Sequence, residues 1–310
     1  WILKNDKGKF YTDAECRIDL GMVTDAVWVD YDNDGWEDLI VARDWNSIVV
    51  IKNNKGKELD AQTHPDLEDK HGLWYSIAAG DFDKDGDIDL IAGNLGTNTR
   101  FTVSDNTPLN LYAIDFDLDG TIDPLSTAYW EDTSGILREY PVNYLDELWA
   151  QSPFFKAKFR NYKLFSYATV QDFMTPVVLE RLQFKLYANT AVSYIIWNDD
   201  GKFRWEELPR EIQVSPVKKM IVRDFNGDSF PDVLMGGNDH TYDVATGYYD
   251  ANKGFLLLSR GDQKGFDILP PSRSGILLNG MVESLECFDG DTLMIVAGIN
   301  RSPIVVYKKQ

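Results

Sequence analysis

Residues 81–93 read DFDKDGDIDLIAG: aspartates at alternate positions around one glycine, followed at once by an apolar run. Aspartate and glycine favour turns, while residues 76–79 (SIAA) and 90–92 (LIA) on either side are short and apolar, so the segment reads as two strands joined by an enlarged turn. The same pattern recurs without gaps in DYDNDGWEDLIVA from Asp30, DFDLDGTIDPLST from Asp115 and DFNGDSFPDVLMG from Asp224. The shared form is D-x-[DN]-x-D-[GS]-x-x-D and then apolar residues. One supersecondary unit repeated down a chain is the signature of a stacked or radial architecture, and this repeat decides the fold.

Working outward, further strands are expected at 47–52 (SIVVIK), 254–259 (GFLLLS) and 265–268 (GFDI). About four strands per unit predicts an all-β chain, a β-propeller of four-stranded blades spanning 1–310. The step from Asp115 to Asp224 is much the longest, so the third unit carries an insertion. Residues 146–159 (DELWAQSPFFKAKF) have helix-like apolar intervals broken at Pro153. Thr175-Pro176 followed by VVLERLQFK reads as an N-cap, a proline at the first helical position and an amphipathic helix. A helical insertion over 144–186 follows. Residues 282–288, 293–298 and 304–307 fit three strands of a fifth unit, whose loop at Asp289-Gly290-Asp291 is too short for a metal. Residues 1–5 and 8–10 resemble the last two strands of a unit and are expected to complete that fifth one, closing a ring; a larger ring fits as well.

Composition narrows the class. With 50 acidic and 31 basic residues the net charge is −19, which repels phosphate backbones and excludes nucleic acid as a partner. No run of 18 apolar residues appears, so no transmembrane helix is expected. Cys16 and Cys287 are too few for a disulfide framework, and His64, His71 and His240 are too scattered for a zinc site. The chain opens at Trp1 with no Met and no leader-like segment, which reads as a piece of a longer exported protein.

The loop chemistry points to calcium, which takes six to eight oxygen ligands at about 2.3–2.6 Å in a flexible shell. Side chains at loop positions 1, 3, 5 and 9 supply carboxylates and the carbonyl at position 7 a neutral oxygen, while glycine at position 6 permits the sharp turn. The first site is Asp30, Asp32, Asp34 and Asp38 with the Trp36 carbonyl. The second is Asp81, Asp83, Asp85 and Asp89 with the Asp87 carbonyl, and the third Asp115, Asp117, Asp119 and Asp123 with the Thr121 carbonyl. The fourth, Asp224, Asn226, Asp228 and Asp232 with the Phe230 carbonyl, has one carboxylate fewer and Ser229 in place of glycine. Three strong Ca²⁺ sites and one weaker one are therefore expected. Four metal-free acidic loops would leave converging carboxylates whose repulsion nothing offsets.

These D-x-D-x-D-G-x-x-D loops between strands resemble FG-GAP/VCBS repeats, the calcium-bearing blades of integrin α-type propellers. More narrowly, GNLGTNTRF (93–101), the 140–148 stretch and GGNDHTYDVATGYYDANKGFLLL (236–258) are similar to exported Bacteroidetes VCBS-repeat proteins of the ASPIC/UnbV-like group. The resemblance implies a location outside the cell or at the outer-membrane surface, structural calcium, and binding away from the metal loops.

Two polar clusters following second strands are the binding candidates: Asn94, Asn98 and Arg100, and Asn238, His240, Tyr242 and Tyr248. Amides and aromatic rings suit a glycan or peptide, though the same side chains also suit hydrogen bonds between blades. Most of the tryptophans are expected in the core. No G-x-S-x-G or H-E-x-x-H occurs, and the loop aspartates are committed to metal. A non-enzymatic surface module for a glycan or protein, alone or within an outer-membrane complex, is the first reading. A polysaccharide lyase or hydrolase using His240, Tyr242 and Arg100 is the alternative.

Overall fold

A computed structural model describes residues 3–12, 18–62, 64–242, 246–261, 265–290 and 292–308; Cys16 lies outside them. The chain divides into two compact units, Trp1–Asn98 with Ala191–Gln310, and Thr99–Thr190.

In the first unit β1 (Leu3–Asp6) and β2 (Lys9–Thr12) pair with each other. Strands β3 (Val23–Val29), β4 (Asp38–Asn46), β5 (Val49–Asn53) and β6 (Leu59–Gln62) form an antiparallel sheet, joined at β4 by β7 (Gly72–Leu73). Strands β8 (Ser76–Gly80) and β9 (Asp89–Gly93) begin the next sheet but do not finish it. The chain first runs through the second unit, with β10 (Leu109–Ile114), β11 (Asp123–Glu131), β12 (Leu137–Pro141) and β13 (Leu182–Ala188) in the order β12-β11-β10-β13. Only then do β14 (Tyr194–Asp199) and β15 (Lys202–Glu207) complete the sheet β15-β14-β9-β8. The long interval from Asp115 to Asp224 thus holds half of the preceding sheet as well as helices. Strands β16 (Val217–Arg223), β17 (Asp232–Gly237), β18 (Phe255–Ser259) and β19 (Phe266–Leu269) make a further four-stranded sheet. The last has three strands, β20 (Val282–Phe288), β21 (Met294–Ile299) and β22 (Val305–Lys308).

The first strands β3, β8, β16 and β20 lie side by side in that order, and the sheets stack face to face around them. This explains the continuous apolar runs after the first, second and fourth aspartate loops, because β4, β9 and β17 are buried on both faces; β11, after the third loop, has Pro124 exposed between buried Asp123 and Leu125. In β9, Leu90 and Ala92 enter the core shared with the β3–β6 sheet, while Ile91 enters the core shared with the β16–β19 sheet. In β17, Val233 and Met235 face one core and Leu234 the next. Each buried Leu, Ile, Val or Met among these contributes about 1.5–3 kcal/mol. Trp74 and Trp197 belong to these cores, whereas Trp28 and Trp36 are exposed.

The expected ring closure differs from the observed pairing. Among the described residues β1 bonds only to β2, and β22 has no strand beyond it. No helix among the described residues is long and apolar enough to cross a membrane.

In the second unit the helical residues lie between β12 and β13. Pro153 ends one helix and starts the next, with Leu145–Gln151 before it and Pro153–Lys158 after it. Thr175 caps the helix Pro176–Leu179 through its side chain, as its position predicts. That helix stops after one turn, and Leu182–Ala188 is strand rather than the amphipathic helix expected there. LQFKLYA carries Leu182, Phe184 and Leu186 at alternating positions, and pairing it with the open edge of β10 overrides its helical pattern. The helices pack Leu145, Leu148, Phe155 and Phe173 against Phe116 and Leu125 of the third aspartate hairpin.

Close approach sets one sequence requirement. The Asn238 amide donates to the Pro216 carbonyl at 3.1 Å, and a Cβ on the preceding Gly237 would collide with that carbonyl oxygen. Gly237→Ala is expected to lower stability by about 1–3 kcal/mol in urea unfolding, because backbone and not a flexible side chain must give way.

Candidate metal loops and binding cavity

Each aspartate loop winds around its own carboxylates. The carboxylate at position 1 gathers backbone amides: Asp30 accepts from Asp34 and Gly35, Asp115 from Leu118, Asp119 and Gly120, and Asp224 from Gly227 and Ser229. The carboxylate at position 5 accepts the amide at position 7, as in Asp34 with Trp36, Asp85 with Asp87, Asp119 with Thr121 and Asp228 with Phe230. This curl needs left-handed backbone at position 6, supplied by Gly35, Gly86 and Gly120 at φ of 87°, 101° and 88°. Ser229 holds the same conformation at φ 73° with a Cβ in place.

The position-9 aspartates are buried at the start of the second strands. Asp38 Oδ1 accepts the Asn53 amide at 2.7 Å, Asp89 Oδ1 the Asn198 amide at 2.9 Å and Asp232 Oδ1 the Ser259 amide at 3.0 Å. The other oxygens of Asp89, Asp123 and Asp232 take the position-2 amides of Phe82, Phe116 and Phe225. Burial pushes all four of these carboxyls up, Asp89 to about 7 although the Asn198 and Phe82 amides pull it down. These residues are staples between loop and sheet as well as candidate ligands, a role that spacing alone does not show.

Three loops bring carboxylate oxygens within 4.8 Å of one another: Asp30, Asp32 and Asp38; Asp81, Asp83 and Asp85; and Asp115, Asp117 and Asp123. The fourth loop forms no such group of acidic residues among those described, and its Asn226 amide donates to Asp228 at 2.8 Å. The second loop fits a divalent cation on a specific observation: Asp81 Oδ1 is buried and has no hydrogen-bond partner among the described residues. A buried carboxylate oxygen left so is costly unless a cation satisfies it. In the third loop Asp117 Oδ2 accepts from Ser152 Oγ at 2.9 Å, so the helical segment braces that loop. The first loop differs from all of these. Lys52 Nζ sits 2.7 Å from Asp32, 2.9 Å from Asp34 and 3.2 Å from Asp38. Its ammonium holds the Asp34 carboxyl below the usual range.

The seven polar candidates fare unequally. Asn94 and Asn238 are fully buried clamps. Asn94 Oδ1 accepts the Leu73 amide and its Nδ2 donates to the Val192 carbonyl, while Asn238 Nδ2 donates to the carbonyls of Asn252 and Gly280. Asn98 donates to the Val214 carbonyl. Arg100, in the second unit, donates to the Tyr144 hydroxyl and lies over the Phe101 ring. Tyr242 is enclosed beside Tyr75, and burial pushes its phenol up to about 12, so it stays protonated at neutral pH and is unsuited to act as a base. His240 and Tyr248 come together. Their rings stack at 4.5 Å on the wall of a cavity of about 470 Å³ that also exposes Asp250, Lys253, Asn279 and Arg301. Among the described residues, His240 Nε2 is buried without a hydrogen-bond partner. A second cavity, about 720 Å³ within the Thr99–Thr190 unit, is lined by Trp130, Tyr140 and Tyr167 beside the Asp132–Arg138 ion pair.

Residues 30–92, the first two aspartate hairpins, match the family described as FG-GAP-like repeat. No curated protein matches the chain.

Two outcomes follow from this geometry. Ser229→Gly removes the left-handed Cβ and is expected to raise stability by up to about 1 kcal/mol in urea unfolding of the chelator-treated chain. Burial pushes the carboxyl of Asp44, in β4, up to about 6 from 3.8. A folded-state value above the unfolded one makes the ionised carboxylate a penalty, complete above about pH 6, shrinking as pH falls and gone below about pH 4. Asp44→Asn should therefore stabilise the chain by about 3 kcal/mol at pH 7.5 and by well under about 1 kcal/mol at pH 4, read from urea midpoints across that range.

Proposed function

We propose that this chain is a calcium-stabilised, propeller-type interaction module that works outside the cytoplasm, at the cell or outer-membrane surface. Its ligand is a glycan or protein segment bound beside His240 and Tyr248. The match to FG-GAP-like repeats supports an interaction module in general terms. The observation that carries the specific reading is the stacked His240–Tyr248 pair on the wall of a polar cavity.

A cavity offering stacked rings, one carboxylate, two cations and amides suits a ligand rich in hydroxyls or peptide groups. Calcium, when bound, would neutralise the repulsion within the second and third loops and pin their hairpins. Loops of this kind, without the bidentate glutamate of an EF-hand, match the roughly 10⁻⁴–10⁻³ M affinities of extracellular modules, where calcium is plentiful. The buried phenol of Tyr242 disfavours the lyase reading.

Melting with chelator and with millimolar Ca²⁺ tests the metal. A site filled a hundredfold above its Kd adds about 2.7 kcal/mol, so Tm should rise by several degrees, and an unmoved Tm would reject calcium. For the ligand, a glycan array and a pull-down from native membranes should give a binder that Tyr248→Ala abolishes at unchanged Tm while Tyr167→Ala, at the other cavity, leaves it intact. A binder lost with Tyr167→Ala instead would move the site to the second unit.

A further inference from the structure

We propose that the Lys52 ammonium is the resident cation of the first aspartate loop, so that this loop sets without a divalent ion while its neighbours need one. The argument rests on the calcium reading only for those neighbours.

Lys52 reaches three of the four carboxylates expected to bind metal, at 2.7, 2.9 and 3.2 Å, with its side chain only 12% exposed. Its position is fixed from both sides. The next residue, Asn53, donates its amide to Asp38 at 2.7 Å and anchors β5, while the ammonium also lies 5.4 Å from the centre of the Tyr31 ring. The fourth carboxylate, Asp30, is satisfied by the amides of Asp34 and Gly35. Every carboxylate of the loop thus has a donor from within the chain.

The other sheets of the same unit supply the comparison. Asn198 and Ser259 donate to Asp89 and Asp232 as Asn53 does to Asp38, so Trp197 and Leu258 stand where Lys52 stands. Neither carries a charge, and both join apolar cores. In the second loop, where Trp197 takes the lysine's place, Asp81 Oδ1 is left buried and unpartnered. One scaffold therefore occurs in two states, a loop closed by its own ammonium and a loop with an unsatisfied oxygen. For calcium to enter the first loop, Lys52 must give up three charge-assisted hydrogen bonds and stay as a positive charge beside the arriving ion.

Calcium titration calorimetry on the full chain tests the assignment through differences in stoichiometry. Lys52→Met should add one bound calcium per chain, and Asp32→Asn in the Lys52→Met background should remove it again. In the wild-type background Asp32→Asn should leave the stoichiometry unchanged, a measurement that decides the matter even if Lys52→Met fails to fold without metal. A wild-type stoichiometry that falls by one with Asp32→Asn, or a folded Lys52→Met chain that gains nothing, overturns the proposal. If instead the calcium reading of the other loops is wrong, the wild-type chain takes up none, while the gain of one on Lys52→Met still reports on Lys52.

Discussion

The fold depends on a buried carboxylate that accepts two backbone amides. Asp89 holds the Phe82 amide of its own loop and the Asn198 amide of the third strand, and Asp232 does the same with Phe225 and Ser259. The same third-strand residues reach sideways: Asn198 Nδ2 donates to the Tyr31 carbonyl, and Ser259 Oγ to the Phe82 carbonyl, each in the loop of the preceding sheet. In the second and fourth loops one ladder of hydrogen bonds therefore curls the loop, ties it to its strands and links it to the loop of the preceding sheet. An isostere such as asparagine cannot replace the aspartate, because an amide offers one acceptor where two are used.

Much of this is legible in the chain. The four aspartate hairpins, and the doubly buried strands after the first, second and fourth, are local patterns, and local patterns survive folding. Where a local pattern misleads, partners far away in sequence decide the outcome. Residues 182–188 look helical until β10 offers an open edge. Strands β14 and β15 lie beyond a whole second unit from the β9 they complete, which no spacing rule anticipates.

The binding candidates divide for a similar reason. Asn94 and Asn238 have the residue type of a ligand pocket, and that capacity for amide hydrogen bonding is used by the backbone between strands. His240 and Tyr248 carry their aromatic surface to a cavity instead. Lys52 gives no signal in the sequence, because a lone lysine at the end of the apolar strand SIVVIK carries no motif. Only alignment of the third strands, with Trp197 and Leu258 at its register, marks it as the odd cation out.

The interruption of the second sheet bears on how the chain assembles. Pairing β9 with β14 closes a loop that contains the whole Thr99–Thr190 segment, an entropic barrier that grows with the length of free chain enclosed. That segment has its own sheet and its own core, and its entry and exit are joined where the Gly96 amide meets the Ala191 carbonyl at 2.7 Å. If it collapses first, as a unit emerging earlier from the ribosome would, the free chain to be closed shrinks to a few residues. The inserted unit's own folding would then shorten the loop that the interrupted sheet must close.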